Sequence, residues 1–430
     1  VWDIPTLTTE LTRSPSGFFI LTNSRALPGP EATTLITEIT TNISHAATSA
    51  NKTFQIVLRG DSTLRGHFPE EPDAVESVLG TSTAWILAPF FYQGGRYTIN
   101  DVHYVSEGPS LIPASQTPFA SDATFGYSSS NLRDYVLEKT SCRFKPEQIV
   151  SVTLDDIRLG GYEKVAQVLS GVKKGSVVVV NAAAEEDMHV LALGCILAEQ
   201  HGAKFLYRTG AAFVSSRLGI QGKAPMTAAE LGVDTSVGSP GGLVIAGSYV
   251  PKTTAQLAYL RECRGDKLHV IELDVSALLA ESESESESSP SNASQPSQII
   301  TTAITQATQH ILSGTDVLLM TSRSLILGSS PLSSLKIGSV VASALVQFLR
   351  GIDVSPRYII AKGGITSSDA ATKGLGMKRA MILGQAAPGV PIWGCDEETS
   401  RHRGVPYVVF PGNVGGVETL GELVGRWAAV

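Results

Sequence analysis

Short apolar runs alternate with longer amphipathic stretches along most of this chain. Ser16–Asn23, Phe54–Leu58, Ala84–Pro89, Gln148–Leu154, Ser176–Asn181 and Lys204–Arg208 read as buried strands. Between them, Pro28–Ala50, Asn131–Lys139, Gly161–Ser170 and Glu186–His201 carry helical spacing. Strands separated by helices imply crossover units and a mainly parallel sheet. Tyr97 to Tyr127 interrupts the rhythm; a loop this long is usually functional or holds short strands of its own. Gly219 to Gly238 has no periodicity and is rich in Gly, Pro, Ser and Thr, so it reads as a linker.

A second α/β rhythm follows. Gly242–Ala246, Lys267–Leu273, Asp316–Thr321 and Arg357–Ala361 read as strands, and helices are expected up to Cys263, over Gln298–Ser313 and over Gly338–Arg350. Glu281–Ser297 alternates Glu and Ser and is expected to be a disordered insertion, because it offers nothing to a core. The pattern predicts two α/β domains, each with a mainly parallel sheet flanked by helices: residues 1–222, a linker at 223–239, and residues 240–430.

With 430 residues the chain is long enough for two domains or three. A formal net charge of −7 argues against nucleic acid or an anionic membrane as the main partner. The four cysteines, Cys142, Cys195, Cys263 and Cys395, form no CxxC pair, which suggests a reducing compartment and no zinc site. There is no apolar run of membrane-spanning length and no signal pattern at the N-terminus, so a cytoplasmic enzyme is the expectation.

The chemistry concentrates in Arg59-Gly60-Asp61-Ser62-Thr63-Leu64-Arg65-Gly66-His67. An apolar run precedes it and the helix start Pro69-Glu70-Glu71-Pro72 follows it, so it lies at the carboxyl end of a strand, where open α/β sheets bind ligands. Guanidinium forks there suit a carboxylate or a phosphate. The bland alternative is a polar turn with Arg59 paired to Asp61. Arg208-Thr209-Gly210 ends another strand and reads equally well as an ordinary turn.

In the second half, Lys362-Gly363-Gly364-Ile365-Thr366-Ser367-Ser368-Asp369 joins a strand to a helix. Its glycines let a ligand approach the backbone, and a helix N-terminus with free amides suits phosphate; the alternative is simply a well-capped helix. Pro411-Gly412-Asn413-Val414-Gly415-Gly416 is another glycine-rich strand end. Gly247 to Thr253 is no P-loop, since Pro251 stands where a glycine is needed, and no G-x-G-x-x-G follows a strand. Gly60-Asp61-Ser62-Thr63-Leu64 resembles the nucleophile block of GDSL-type serine hydrolases, with Asp266-Lys267-Leu268-His269 as the accompanying Asp-x-x-His, but that segment lies past the linker and within an expected strand.

Taken together, Arg59 to His67, Pro89-Phe-Phe-Tyr-Gln-Gly-Gly-Arg-Tyr-Thr-Ile-Asn-Asp-Val-His103, Thr117-Pro-Phe-Ala, Val250-Pro-Lys-Thr-Thr254, Lys362 to Asp369 and Phe410-Pro-Gly-Asn413 resemble the four-carbon acid sugar kinase family, whose members act on 3-oxo-tetronate, D-threonate or D-erythronate. The resemblance covers nearly the whole chain. It implies an N-terminal domain for the acid, a C-terminal domain for ATP, and an active site in the cleft between them. It places the acid on Arg59, Asp61, Ser62 and Arg65, and ATP on Ser248, Gly363, Gly364, Ile365, Thr366 and Gly412. Arg59 and Arg65 would hold the carboxylate or the transferring phosphoryl, and Asp61 would orient or deprotonate the hydroxyl, so Arg59 and Asp61 are the catalytic candidates. Mg2+ is expected with ATP, held mainly by phosphates and water. The expected partners are the sugar acid and ATP, with no nucleic acid and no membrane; the chain is expected as part of a larger multifunctional protein or as a homo-oligomer. One departure stands out. Such families open with a strand and an Asp-Asp-x-Thr-Gly turn, which is absent ahead of Trp2-Asp3-Ile4-Pro5, so a missing first strand, a missing acidic residue of the site and an inactive fragment are also expected.

Overall fold

The structure is a computed structural model that describes residues 2–247, 251–287, 296–322, 331–395, 397–412 and 414–428. It divides into two compact units, Val1–Gly222 and Lys223–Val430.

The first unit runs α1 (Ile4–Thr12), α2 (Gly29–Ala50), β1 (Val57–Arg59), α3 (Glu70–Leu79), β2 (Ala84–Ala88), β3 (Arg96–Ile99), β4 (Val102–Glu107), β5 (Ser110–Pro113), α4 (Leu132–Lys139), β6 (Ile149–Val152), α5 (Leu154–Arg158), α6 (Gly161–Ser170), β7 (Ser176–Val180), α7 (Glu185–Gln200), β8 (Phe205–Thr209) and α8 (Ala211–Leu218). Its main sheet has the order β1-β8-β2-β7-β6, all parallel. Every residue of β2 and β7 is buried, because helices cover both faces, and this is why those strands read as continuous apolar runs. Alternate residues serve opposite faces: Ile86 and Val178 pack with Val165, Leu191 and Cys195, while Trp85, Leu87, Val177 and Val179 pack with Val75, Leu132 and Tyr135. The long stretch after β2 contains an antiparallel meander, β3-β4-β5, so it holds strands of its own.

Ser16–Asn23 forms no strand among the described residues. The alternation in that stretch is real: Phe18 and Ile20 pack onto the apolar cluster of α1 and α2, while Phe19 and Leu21 are exposed. The pattern records one buried side without a neighbouring strand to form a ladder.

The second unit runs β9 (Leu243–Ala246), α9 (Pro251–Arg264), β10 (Leu268–Leu273), α10 (Val275–Glu287), α11 (Gln298–Leu312), β11 (Asp316–Thr321), α12 (Pro331–Gly351), β12 (Ile359–Lys362), α13 (Gly364–Asp369), β13 (Met381–Ala387), β14 (Val390–Gly394), β15 (Tyr407–Phe410) and α14 (Thr419–Trp427). Its sheet has the order β10-β11-β9-β12-β15-β14-β13, parallel as far as β15 and antiparallel beyond. Within residues 223–239, expected as a linker and mostly exposed, Met226, Ala228 and Leu231 lie against the core of this unit, and the Met226 amide donates to the Gln385 carbonyl at 2.8 Å. The expected disorder from Glu281 is corrected in part, since α10 continues to Glu287. Buried Val275 and Leu278 anchor that helix, and adding turns to an existing helix costs little. Residues 288–295 lie outside the described residues.

Candidate functional site

β1, β8 and β2 are adjacent and in register at their carboxyl ends, with Arg59 opposite Thr209 and Thr209 opposite Ala88. The Arg59–His67 turn therefore emerges beside Arg208-Thr209 and Pro89. Asp61 is its centre. One carboxylate oxygen accepts from the Thr63 hydroxyl at 2.5 Å and from Arg65 Nε at 2.8 Å, with Arg25 Nη1 3.4 Å away. Burial alone would raise the Asp61 pKa, but the Thr63 hydroxyl and the Arg65 and Arg25 guanidiniums outweigh it and hold the group below the usual carboxylate range. The Arg59 side chain makes no hydrogen bond or ion pair with the described residues, but it feels the charge of Asp61, which favours its ionised form against burial. Ser62 presents its hydroxyl without a protein partner among the described residues.

A second pair of arginines closes the other side. Arg65 and Arg96 both lie against the Phe119 ring, with guanidinium carbons 5.0 Å and 5.6 Å from its centroid. Arg65 also comes within 3.8 Å of Asp122, and buried Arg96 Nε has no hydrogen-bond partner among the described residues. A pocket beside the turn is lined by Gly60, Asp61, Leu64, Tyr135, Arg208 and Thr209, and the buried Thr209 hydroxyl is likewise unpaired. Four guanidiniums, Arg25, Arg59, Arg65 and Arg96, thus gather at two carboxylates, Asp61 and Asp122. Such a site attracts an anion with more than one acceptor oxygen.

In the second unit, β9, β12 and β15 are parallel neighbours. The chain passes from β9 to β10 and β11 on one side, then crosses to β12 and β15 on the other, so the sheet's topological switch point lies between β9 and β12. Gly247 ends β9, Lys362-Gly363-Gly364 ends β12, and Pro411-Gly412 ends β15. Gly363 has φ 110°, a conformation that favours glycine, and its amide donates to the Phe410 carbonyl at 2.8 Å. A Cβ on Gly364 would meet nothing within 4 Å, so the backbone there faces open space. The Thr366 hydroxyl reaches the end of β9, 3.1 Å from where a Cβ on Gly247 would stand. The Gly412 carbonyl accepts from the buried Thr253 hydroxyl at 3.3 Å. Lys362 is fully buried, with Nζ donating to the Pro411 carbonyl at 2.6 Å and 4.0 Å from the Phe410 ring centroid. Burial, with Lys252 nearby, pushes its pKa down to about 7. A backbone cradle open to solvent beside a lysine fits a phosphate chain.

Comparison with known proteins assigns the two halves separately. Residues 3–217 match a sugar-binding N-terminal domain, and residues 243–420 match a nucleotide-binding C-terminal domain. The chain belongs to the four-carbon acid sugar kinase family. It is 30% identical over 182 residues to a D-erythronate kinase of Heliobacterium modesticaldum, a match that covers 41% of this chain and 38% of that protein. Solved proteins from Salmonella typhimurium LT2 and Haemophilus influenzae share its fold. The first is 15% identical with a TM-score of 0.64, over 94% of this chain and 86% of the other. The second is 18% identical with a TM-score of 0.60, over 94% and 88%.

Set against the family's motifs, the structure brings Arg59, Asp61, Ser62 and Arg65 together on one turn. Gly363, Gly364 and Thr366 share a second, with the Ile365 backbone between them, and Gly412 ends the adjoining strand. Ser248 lies outside the described residues. Sequence reasoning missed Arg25, which reaches Asp61 from the turn after Asn23 (φ 52°); the run Asn23-Ser24-Arg25-Ala26 was its only signal. It also missed Phe119 as the platform under two arginines. The hydrolase alternative gains no support: the imidazole near Ser62, that of His103, bonds its carbonyl, and His269 stacks on His310 in the second unit at 3.6 Å.

Proposed function

We propose that the chain is an ATP-dependent kinase that phosphorylates a terminal hydroxyl of a four-carbon sugar acid such as D-erythronate, D-threonate or 3-oxo-tetronate. The observation that carries this reading is the excess of guanidinium over carboxylate around Asp61, in the half of the chain that matches a sugar-binding domain. Arg59, whose side chain makes no hydrogen bond or ion pair among the described residues, takes the acid's carboxylate, and Ser62 and Thr209 offer hydroxyls to the sugar's own. Asp61 is a weak base with its pKa held down, so its work is to space and orient Arg25 and Arg65 and, through them, the substrate. Phosphoryl transfer asks mainly for such positioning and charge neutralisation.

Gly363, Gly364, Ile365, Thr366 and Gly412 cradle the nucleotide's phosphates by their backbone, with Ser248 as the family's further contact. Lys362 stands directly behind that cradle. Bound ATP supplies the phosphoryl group, and Mg2+ travels with its phosphates. The test is an ADP-release assay of the full chain against a panel of four-carbon acids and their uncharged alditols. Turnover restricted to the acids is expected. Turnover on the alditols, or ATP binding without turnover on any acid, would overturn the proposal.

A further inference from the structure

Within the Arg59–His67 turn, the carbonyls of three successive residues accept hydrogen bonds from ring-bearing side chains. His103 Nε2 lies 2.8 Å from the Ser62 carbonyl, the Tyr127 hydroxyl donates to Thr63 at 2.9 Å, and the Tyr135 hydroxyl donates to Leu64 at 3.0 Å. None of these carbonyls accepts a backbone amide among the described residues. Leu64 stands at φ 67°, a conformation costly for a branched side chain, so something must hold the turn in place. The three donors are buried and come from three places in the segment between β2 and β6: strand β4, the loop before α4, and α4 itself. The two tyrosine rings also pack together, Tyr127 edge-on to Tyr135, and Tyr135 stacks on Phe68, the residue that follows the turn.

We propose that His103, Tyr127 and Tyr135 are positioning residues that lock the Arg59–Arg65 turn in its acid-binding shape, and that the segment between β2 and β6 serves this purpose. The proposal rests on the reading of that turn as the acid site. The protonation pattern at His103 is fixed by its neighbours. The Ser62 carbonyl can only accept, so Nε2 carries the proton, and Nδ1, 2.9 Å from the Thr98 hydroxyl, accepts from it. Burial keeps this imidazole neutral, its pKa pushed down to about 4. The ring is thus a fixed donor rather than an acid–base group.

Three variants remove one donor each: Tyr127→Phe and Tyr135→Phe keep their rings, and His103→Leu loses the imidazole. His103→Gln restores an N–H near the Nε2 position. Two readouts are needed. Hydrogen exchange of the 59–67 amides reports the turn itself and should accelerate at least about tenfold in the three donor-less variants, returning toward the parent in His103→Gln. Steady-state kinetics should show KM for the acid raised about tenfold with KM for ATP unchanged. Unchanged exchange, or a lowered melting temperature with both KM values intact, overturns the proposal, since plain packing residues would behave that way. Accelerated exchange in a chain whose parent binds no four-carbon acid would retire the acid-site reading and leave the lock on the turn standing.

Discussion

The Arg208 guanidinium occupies the space that a side chain on Gly60 would need: its central carbon lies 2.8 Å from the ideal Cβ position. One terminal nitrogen lies equally close to the Cβ position of Gly66. The two glycines of the Arg59–His67 turn thus make room for one arginine from β8. Arg208 in turn pairs with Glu71 at 2.6 Å, both largely buried, and the other Glu71 oxygen accepts from the Ser24 hydroxyl at 2.5 Å. The pair ties the turn to the start of α3 and to the segment that carries Arg25.

Gly60→Ala should therefore act through Arg208. The methyl group and the guanidinium cannot share that space, and disrupting a buried pair costs about 3 kcal/mol. Urea unfolding should show a lower midpoint with an unchanged slope. Gly222→Ala is the control: its Cβ would meet nothing within 4 Å and its backbone is not in the left-handed region, as that of Gly60 is not. Equal losses in the two variants would mean that the clash with Arg208 is not what makes residue 60 a glycine.

Arg25→Ala separates binding from folding. The side chain is about half exposed, and its ion pair to Asp61, the one it makes among the described residues, is long at 3.4 Å, so its removal should leave stability within about 0.5 kcal/mol. Its place beside Arg59 and Arg65 predicts at least a tenfold weaker acid, about 1.4 kcal/mol. Titration of D-erythronate into parent and variant by calorimetry measures this. An unchanged affinity would remove Arg25 from the site.

The elements that the sequence made legible are those whose pattern follows from burial. β2, β7 and β11 are covered on both faces and read as apolar runs; α2 and α11 show their helical period. What stayed hidden depended on partners distant in sequence. Phe18 and Ile20 alternate like a strand but face helices. Met381–Ala387 and Val390–Gly394 form a hairpin through a glycine at 384 and a proline at 391, residues that argue against strands when read locally. In the site, Arg59, Asp61, Ser62 and Arg65 could be named because nine consecutive residues hold them. Arg25 and Phe119 arrive from segments far along the chain, and their contribution follows from geometry alone.

Gly364→Val tests the second site without touching the core. A side chain there projects into open space, so the fold should be unaffected apart from a helix-propensity change of a few tenths of a kcal/mol. The same space is where the phosphates would approach the backbone. Calorimetry should show ATP binding lost while the melting temperature holds. Normal ATP binding by the folded variant would place the nucleotide elsewhere.

Lys362 gives that site a pH dependence whose sign can be worked out. Its pKa falls from the ordinary 10.5 to about 7 in the folded chain, by burial first and the Lys252 charge second. Below about pH 7 the lysine is protonated whether folded or unfolded, and the full cost of burying the charge is felt. Between about pH 7 and 10.5 the unfolded chain binds the proton and the folded chain does not, so this residue's contribution makes stability rise with pH, by at most about 1.4 kcal/mol per unit. A phosphate chain on the Gly363–Gly364 cradle favours the charged form and reverses the balance. Nucleotide binding then takes up a proton above about pH 7, and affinity falls as pH rises. Lys362→Met should flatten both slopes, whatever its effect on absolute stability. The measurement is ATP affinity at several pH values between about 6 and 9, with calorimetry in buffers of different ionisation enthalpy to count the proton. Parallel pH profiles for parent and variant, with no proton taken up by the parent, would show that Lys362 keeps one protonation state throughout and that the nucleotide does not sense it.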